Sequence, residues 1–234
     1  MINKLWVFGD SFCADGMGRW VEHLKTDTPY LKCVNHAVSG SDMRTILESW
    51  LQHIPMMSED DGIVVCVGEA SRVRYPRKKK EVSRTGWTAF SEEYWLHFHV
   101  NANFSEMYAK VPEQFEVWDF PVLDLDEMQK FHDYSMLMSD SWANTTAALN
   151  MIEPLYTLTP CSKKFVYTWH SYPEKYYLYN QDWMKRNIFQ DEWDTSHQEY
   201  KRTAGARGKK YDNHLSSTAE KQMFDYVKSF FQLI

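Results

Sequence analysis

No apolar run in this sequence approaches the roughly eighteen residues that a bilayer-crossing helix needs, so no membrane span and no membrane partner is expected. Met1-Ile2-Asn3-Lys4 leads straight into an apolar stretch, without the basic, apolar and small-residue succession of a secretory leader. The expectation is synthesis in the cytoplasm, with any exit by lysis or inside an assembly such as a virion. Cysteine is scarce. Cys13, Cys33, Cys66 and Cys161 are scattered without C-x-x-C spacing, which reads as reduced, mostly buried thiols and not as zinc ligands or disulfides. Net positive charge is also lacking: 26 Lys and Arg against 32 Asp and Glu leave −6, with a pI near 5.8, which argues against nucleic acid as a general partner. The nine histidines include no H-E-x-x-H or similar spacing, so no metal is expected; His97 and His99, on one face of a strand, are the best of the weak options. No internal repeat is visible.

Aromatic residues, by contrast, are plentiful at 16%, with ten Trp and fourteen Tyr beside twelve Met. That exceeds what a core of ordinary composition uses. Part of the excess is expected on a surface, either a carbohydrate-type groove or a contact with another protein. At 234 residues the chain suits one α/β domain, 1–234, carrying an insertion.

Leu5 to Phe8 is a short apolar run suited to a buried strand, and Gly9-Asp10-Ser11 ends it abruptly. Helix is expected from about Arg19 to Lys25, with Trp20, Val21 and Leu24 apolar. Residues 31–36 read as a second strand that leaves through Ser39-Gly40. Ser41 or Asp42 can cap a helix running to about His53, which Pro55 stops. Gly62 to Gly68, β-branched almost throughout, is the clearest buried strand. Three strand-loop-helix passages in succession predict a parallel sheet with helical crossovers.

From about 73 to 134 the pattern breaks down. A basic run (Arg72, Arg74, Arg77, Lys78, Lys79, Lys80, Arg84) is followed by aromatic-rich segments without steady period. This is too long for an ordinary connection and too aromatic for disorder, so an inserted subdomain or lid is expected. The basic run reads either as a solvated loop or as a site for an anionic ligand. Helix returns over 135–158, where Pro154 should kink or end it, and residues 164–169 form the next strand. Ser217-x-x-Glu220 reads as a capping box opening a last helix with Met223, Phe224, Val227, Phe230 and Phe231 facing the core.

Four strand exits thus point to one sheet edge, where open α/β sheets bind their ligands. An Asp and a His precede the last helix. Gly9-Asp10-Ser11 near the start, a Gly40 loop after the second strand, and Asp212-Asn213-His214 near the end resemble the SGNH/GDSL hydrolase family across most of the chain. That resemblance implies a flavodoxin-like three-layer α/β/α sandwich with a central parallel sheet. It also implies Ser11 as nucleophile, His214 as general base, Asp212 as its orienter, and the N–H groups of Ser11 and Gly40 as oxyanion hole. No cofactor is implied. The residue types suit the chemistry: a neutral serine attacks well only when an imidazole takes its proton, and a carboxylate fixes that imidazole's tautomer.

Two blocks depart from the family. Where it has Gly-x-Asn-Asp this chain reads Gly68-Glu69-Ala70-Ser71, which leaves Ser71 or Arg72 as alternative oxyanion donors. The last block is one residue shorter than Asp-x-x-His, so a backbone carbonyl is a second candidate for orienter. Each block also has a plainer reading: Gly9-Asp10-Ser11 as a turn, His214 as a helix-entry residue, and Asp10 and Glu69 as structural carboxylates. Divergent phage members of the family look similar. The expected function is an esterase removing acyl, typically acetyl, groups from a carbohydrate or other small ester. Acyl transfer by the same serine is a variant. The alternative is a catalytically impaired module of the same fold, for example a phage-particle component that assembles through the aromatic insertion.

Overall fold

A computed structural model describes residues 2–14, 19–38, 41–67, 72–76, 95–99, 126, 129–130, 132–134, 141–168, 183–186 and 217–233. In chain order the elements are β1 (Lys4–Phe8), α1 (Arg19–Asp27), β2 (Lys32–Asn35), α2 (Met43–His53), a 3₁₀ turn (Ile54–Met56), β3 (Gly62–Val67), β4 (Arg72–Pro76), β5 (Trp95–His99), α3 (Ser141–Leu158), β6 (Lys163–Thr168), β7 (Met184–Arg186) and α4 (Ser217–Phe231).

β2, β1, β3 and β6 lie side by side in that order, all parallel, and the three-residue β7 extends the sheet beyond β6. This is an α/β fold. Because side chains alternate along a strand, β1 sends Leu5 and Val7 to one face and Trp6 and Phe8 to the other. Val64 and Cys66 of β3 join the first set, against Trp20, Val21 and Leu24 of α1 and Met223, Val227 and Phe231 of α4. Ile63, Val65 and Val67 join the second, against Ile46, Leu47 and Trp50 of α2 and Leu149, Ile152 and Leu155 of α3. Helices cover both faces, so β3 is buried at every position, which is why it reads as a continuous apolar run.

The amino edge of the sheet is tied down by polar contacts. Asp61, just before β3, accepts the indole N–H of Trp6 at 3.0 Å and the backbone N–H of Ser58 at 3.1 Å, with the Lys4 ammonium 3.9 Å away. Across the α2–α3 contact the Trp50 indole donates to the Thr159 hydroxyl at 2.8 Å, and that hydroxyl donates to the Leu155 carbonyl. Of the two capping candidates for α2 the structure uses Asp42, whose Oδ1 accepts from Thr45 N at 2.7 Å.

Of the two outcomes expected at Pro154, a kink or an end, the helix does not end there: α3 continues to Leu158, and Ile152 and Leu155, buried on either side of the proline, hold both flanks on the core. α4 begins at Ser217, and Glu220 in its first turn accepts a hydrogen bond from Trp20 N on α1. At the start of the stretch expected to be an insertion, β4 and β5 pair antiparallel as a separate two-stranded sheet. Its register sets Arg72 opposite His99 and Arg74 opposite His97. The rest of 73–134, apart from the helical positions 126, 129–130 and 132–134, lies outside the described residues, as does most of the basic run. Among the described residues no helix is long and apolar enough to cross a membrane.

Gly62 is a packing requirement. A Cβ there would lie 2.6 Å from Phe231 Cε1 and 2.8 Å from Ile2 Cδ1. Overpacking of this kind typically costs about 1–3 kcal/mol. Gly62→Ala is therefore expected to lower the unfolding free energy by that amount, recorded in equilibrium urea unfolding as a lower midpoint with an unchanged m value; an unaltered midpoint would show that the neighbouring side chains yield freely at this point.

Candidate active site at the carboxyl edge of the sheet

β1 ends at Phe8, and the chain turns within the next six residues. Asp10 makes the turn. Its Oδ1 accepts the Phe12 N–H at 3.0 Å, and its carbonyl accepts the N–H groups of Cys13 and Ala14, both at 3.0 Å. An aspartate that bonds the backbone two residues ahead suits a tight turn, and this one is fully buried. Gly9 is needed for a different reason: a Cβ there would lie 2.9 Å from both Cys13 Sγ and Cys66 Cβ. With glycine the turn packs directly on β3.

Ser11 sits at the start of this turn, at the carboxyl end of β1, with 7% of its surface exposed. Among the described residues no hydrogen bond occupies its hydroxyl or its N–H. Both groups are thus available for the two roles expected of Ser11.

The turn is held from three sides. From β2, Asn35 donates through Nδ2 to the Cys13 carbonyl at 2.8 Å and accepts the Ala37 N–H on Oδ1 at 3.0 Å. The chain leaving β2 continues beside β1, with His36 N donating to Val7 O at 2.8 Å and Val38 N to Gly9 O at 3.0 Å. From α1, the Trp20 indole donates to the Phe12 carbonyl at 2.8 Å. From below, Cys13 Sγ lies 3.2 Å from the Tyr167 hydroxyl of β6, next to Cys66 of β3.

Cys66 and Tyr167 are held toward their neutral forms. Burial pushes the Cys66 thiol well above its ordinary range, and the neighbouring Cys13 and Asp10 push it further. Burial likewise raises the Tyr167 phenol, with Cys13 and Cys66 adding to it. Since the thiolate is the reactive form of cysteine, the raised Cys66 thiol suits a packing role beneath the turn. All four cysteines are thiols, three buried and Cys33 half-buried.

Of the other candidate residues, Arg72 opens β4, five positions after the last residue of β3. Gly40, Ser71, Asp212 and His214 lie outside the described residues. Within the β2 exit that leads to Gly40, Ser41 N donates to Val38 O at 3.0 Å. His97 and His99 share a face of β5, two positions apart, and among the described residues no three His, Cys, Asp or Glu side chains converge on a metal-sized site. Asn35, Trp20 and Glu220 escaped the sequence reading as site residues. An amide at the very end of a predicted strand was the one local signal for Asn35; nothing local pointed to the other two. No family model, curated protein or solved structure matches the chain.

The protonated thiols set an alkaline limit on stability. Cys161 is raised from its ordinary 9.0 to about 11, chiefly by burial and secondarily by Asp61. Between those values the unfolded chain releases a proton that the folded chain keeps, so stability is complete below pH 9.0 and falls as the pH rises toward about 11. Thermal unfolding followed from pH 7 upward should show this decline, and Cys161→Ala should make it shallower. A melting temperature independent of pH in this window would contradict the assignment.

Proposed function

We propose that the chain is a serine-dependent ester hydrolase of the SGNH/GDSL type that removes acyl groups, in the first place acetyl, from a carbohydrate or similar small ester. The observation that carries this reading is Ser11 itself, presented at the carboxyl end of a central parallel strand by a turn built around Asp10. Strand order β2-β1-β3-β6-β7 places β1 where the order reverses, the crevice that ligands use in open α/β sheets. The same order, with helices against both faces, supports a flavodoxin-like three-layer sandwich, and the separate β4–β5 sheet supports an insertion between β3 and α3.

In the proposed reaction Ser11 Oγ attacks the ester carbonyl while His214 takes the hydroxyl proton. The oxyanion is met by the N–H groups of Ser11 and Gly40, with Ser71 or Arg72 in place of the absent asparagine. His214 passes its proton to the departing alkoxide, and water then releases the acyl group by the same route. Asp212 orients the imidazole. Each oxyanion donor of this kind is typically worth about 10²–10³ in rate.

A second reading rests on Ala70, which stands where the family's oxyanion asparagine would be. On that reading the fold is a binding or structural module without turnover, assembled through the aromatic-rich insertion, as in a phage particle.

A fluorophosphonate probe separates the two. Hydrolysis predicts a covalent adduct on the peptide containing Ser11, and a drop in p-nitrophenyl acetate turnover of at least about 10³-fold in Ser11→Ala. Wild-type turnover in Ser11→Ala would remove the esterase mechanism. Absence of labelling, together with stable co-purification in an assembly, favours the structural module.

A further inference from the structure

The two halves of the proposed machinery come from opposite ends of the chain. Ser11 follows β1, whereas His214 precedes α4 by three positions. One hydrogen-bonded relay joins these ends. On α4 the Glu220 carboxylate accepts the backbone N–H of Trp20 at 2.8 Å, across 200 positions of sequence. The indole of the same Trp20 donates to the Phe12 carbonyl at 2.8 Å. Phe12 N in turn donates to Asp10 Oδ1, closing the turn that carries Ser11.

The groups used are costly ones to place there. Trp20 is fully buried and Glu220 is 3% exposed. A buried carboxylate is tolerated where hydrogen bonds and positive charge compensate it. The first turn of α1 supplies both, since its N–H groups have no partners within the helix and carry the positive end of the helix dipole. A hydrophobic residue at 220 would satisfy the α1–α4 contact, as Met223 and Val227 do. It would leave the Trp20 N–H without this acceptor.

We propose that Glu220 and Trp20 are positioning residues, a relay through which α4 sets the placement of the Ser11 turn. The inference rests on the reading of Ser11 as nucleophile and His214 as base. Misplacement of reacting groups by about 1 Å costs about a hundredfold in rate. Loosening the relay therefore slows attack by Ser11 without changing how the small ester binds.

The test combines a reactivity readout with one that does not need activity. Glu220→Ala and Trp20→Phe should each lower the rate of fluorophosphonate labelling at Ser11 by about ten- to a hundredfold. The same two variants should lower kcat for p-nitrophenyl acetate with KM unchanged. Glu220→Gln keeps an oxygen acceptor and should recover most of the rate. In parallel, the amides of Phe12, Cys13 and Ala14 should exchange hydrogen faster in Glu220→Ala and Trp20→Phe than in the wild type or Glu220→Gln, while those of α2 stay unchanged. Unchanged exchange at 12–14 in both disruptive variants overturns the relay, and so does wild-type labelling in Trp20→Phe. Should Glu220→Ala fail to fold, Trp20→Phe against Glu220→Gln decides. A wild-type chain that is not labelled at Ser11 contradicts the esterase reading alone, and the exchange comparison still decides whether α4 holds the turn.

Discussion

The close approach of the Gly9 backbone to Cys13 and Cys66 is the constraint on which the carboxyl edge depends. With no Cβ at position 9 the chain leaving β1 can fold down onto β3. Only then can the Asp10 carbonyl receive Cys13 N and Ala14 N, and Cys13 reach the Tyr167 hydroxyl. The three residues Gly9, Asp10 and Ser11 have separate tasks: the first allows the approach, the second closes the turn, and the third is what the turn presents.

Polar contacts of long sequence separation finish what apolar packing begins. Burial on both faces of β1 and β3 supplies the driving force but is indifferent to small slides between layers. Asp61 with Trp6, Trp50 with Thr159, and Glu220 with Trp20 each join a buried indole or amide N–H to one acceptor in another element. Left unpaired, a buried donor or acceptor would cost about 1–3 kcal/mol, so each such pair selects one register of the elements it joins. Two of the three use tryptophan side chains and the third a tryptophan backbone amide, one structural use of an aromatic content that is otherwise hard to place in a single core.

The sheet was legible because its central strands, β1 and β3, are buried on both faces. β1, β2, β3 and β6 read as short apolar or β-branched runs ending in glycine or polar residues, and the amphipathic α1, α2 and α4 read from their spacing. The three residues of β7 carry no periodicity, and β4 and β5 find each other across 18 intervening positions that local pattern does not bridge. At Pro154 the local pattern left a kink and an end both open, and α3 continues because tertiary packing on both sides of the proline outweighs the local preference to stop. At the site, Ser11 stood out because a serine directly after a buried strand is a local event. Asn35 and the Trp20–Glu220 pair did not, since their partners are 22 and 200 positions away.

The central claim is that Ser11 and His214 act as one unit, with the Asp10 turn holding the first for the second. A double-mutant cycle on ester turnover tests it most directly, because groups that act together lose their contribution once and not twice. The account predicts that Ser11→Ala, His214→Ala and the double variant all fall to the same residual rate. Losses that multiply in the double variant, or a single variant that keeps the wild-type rate, would contradict it.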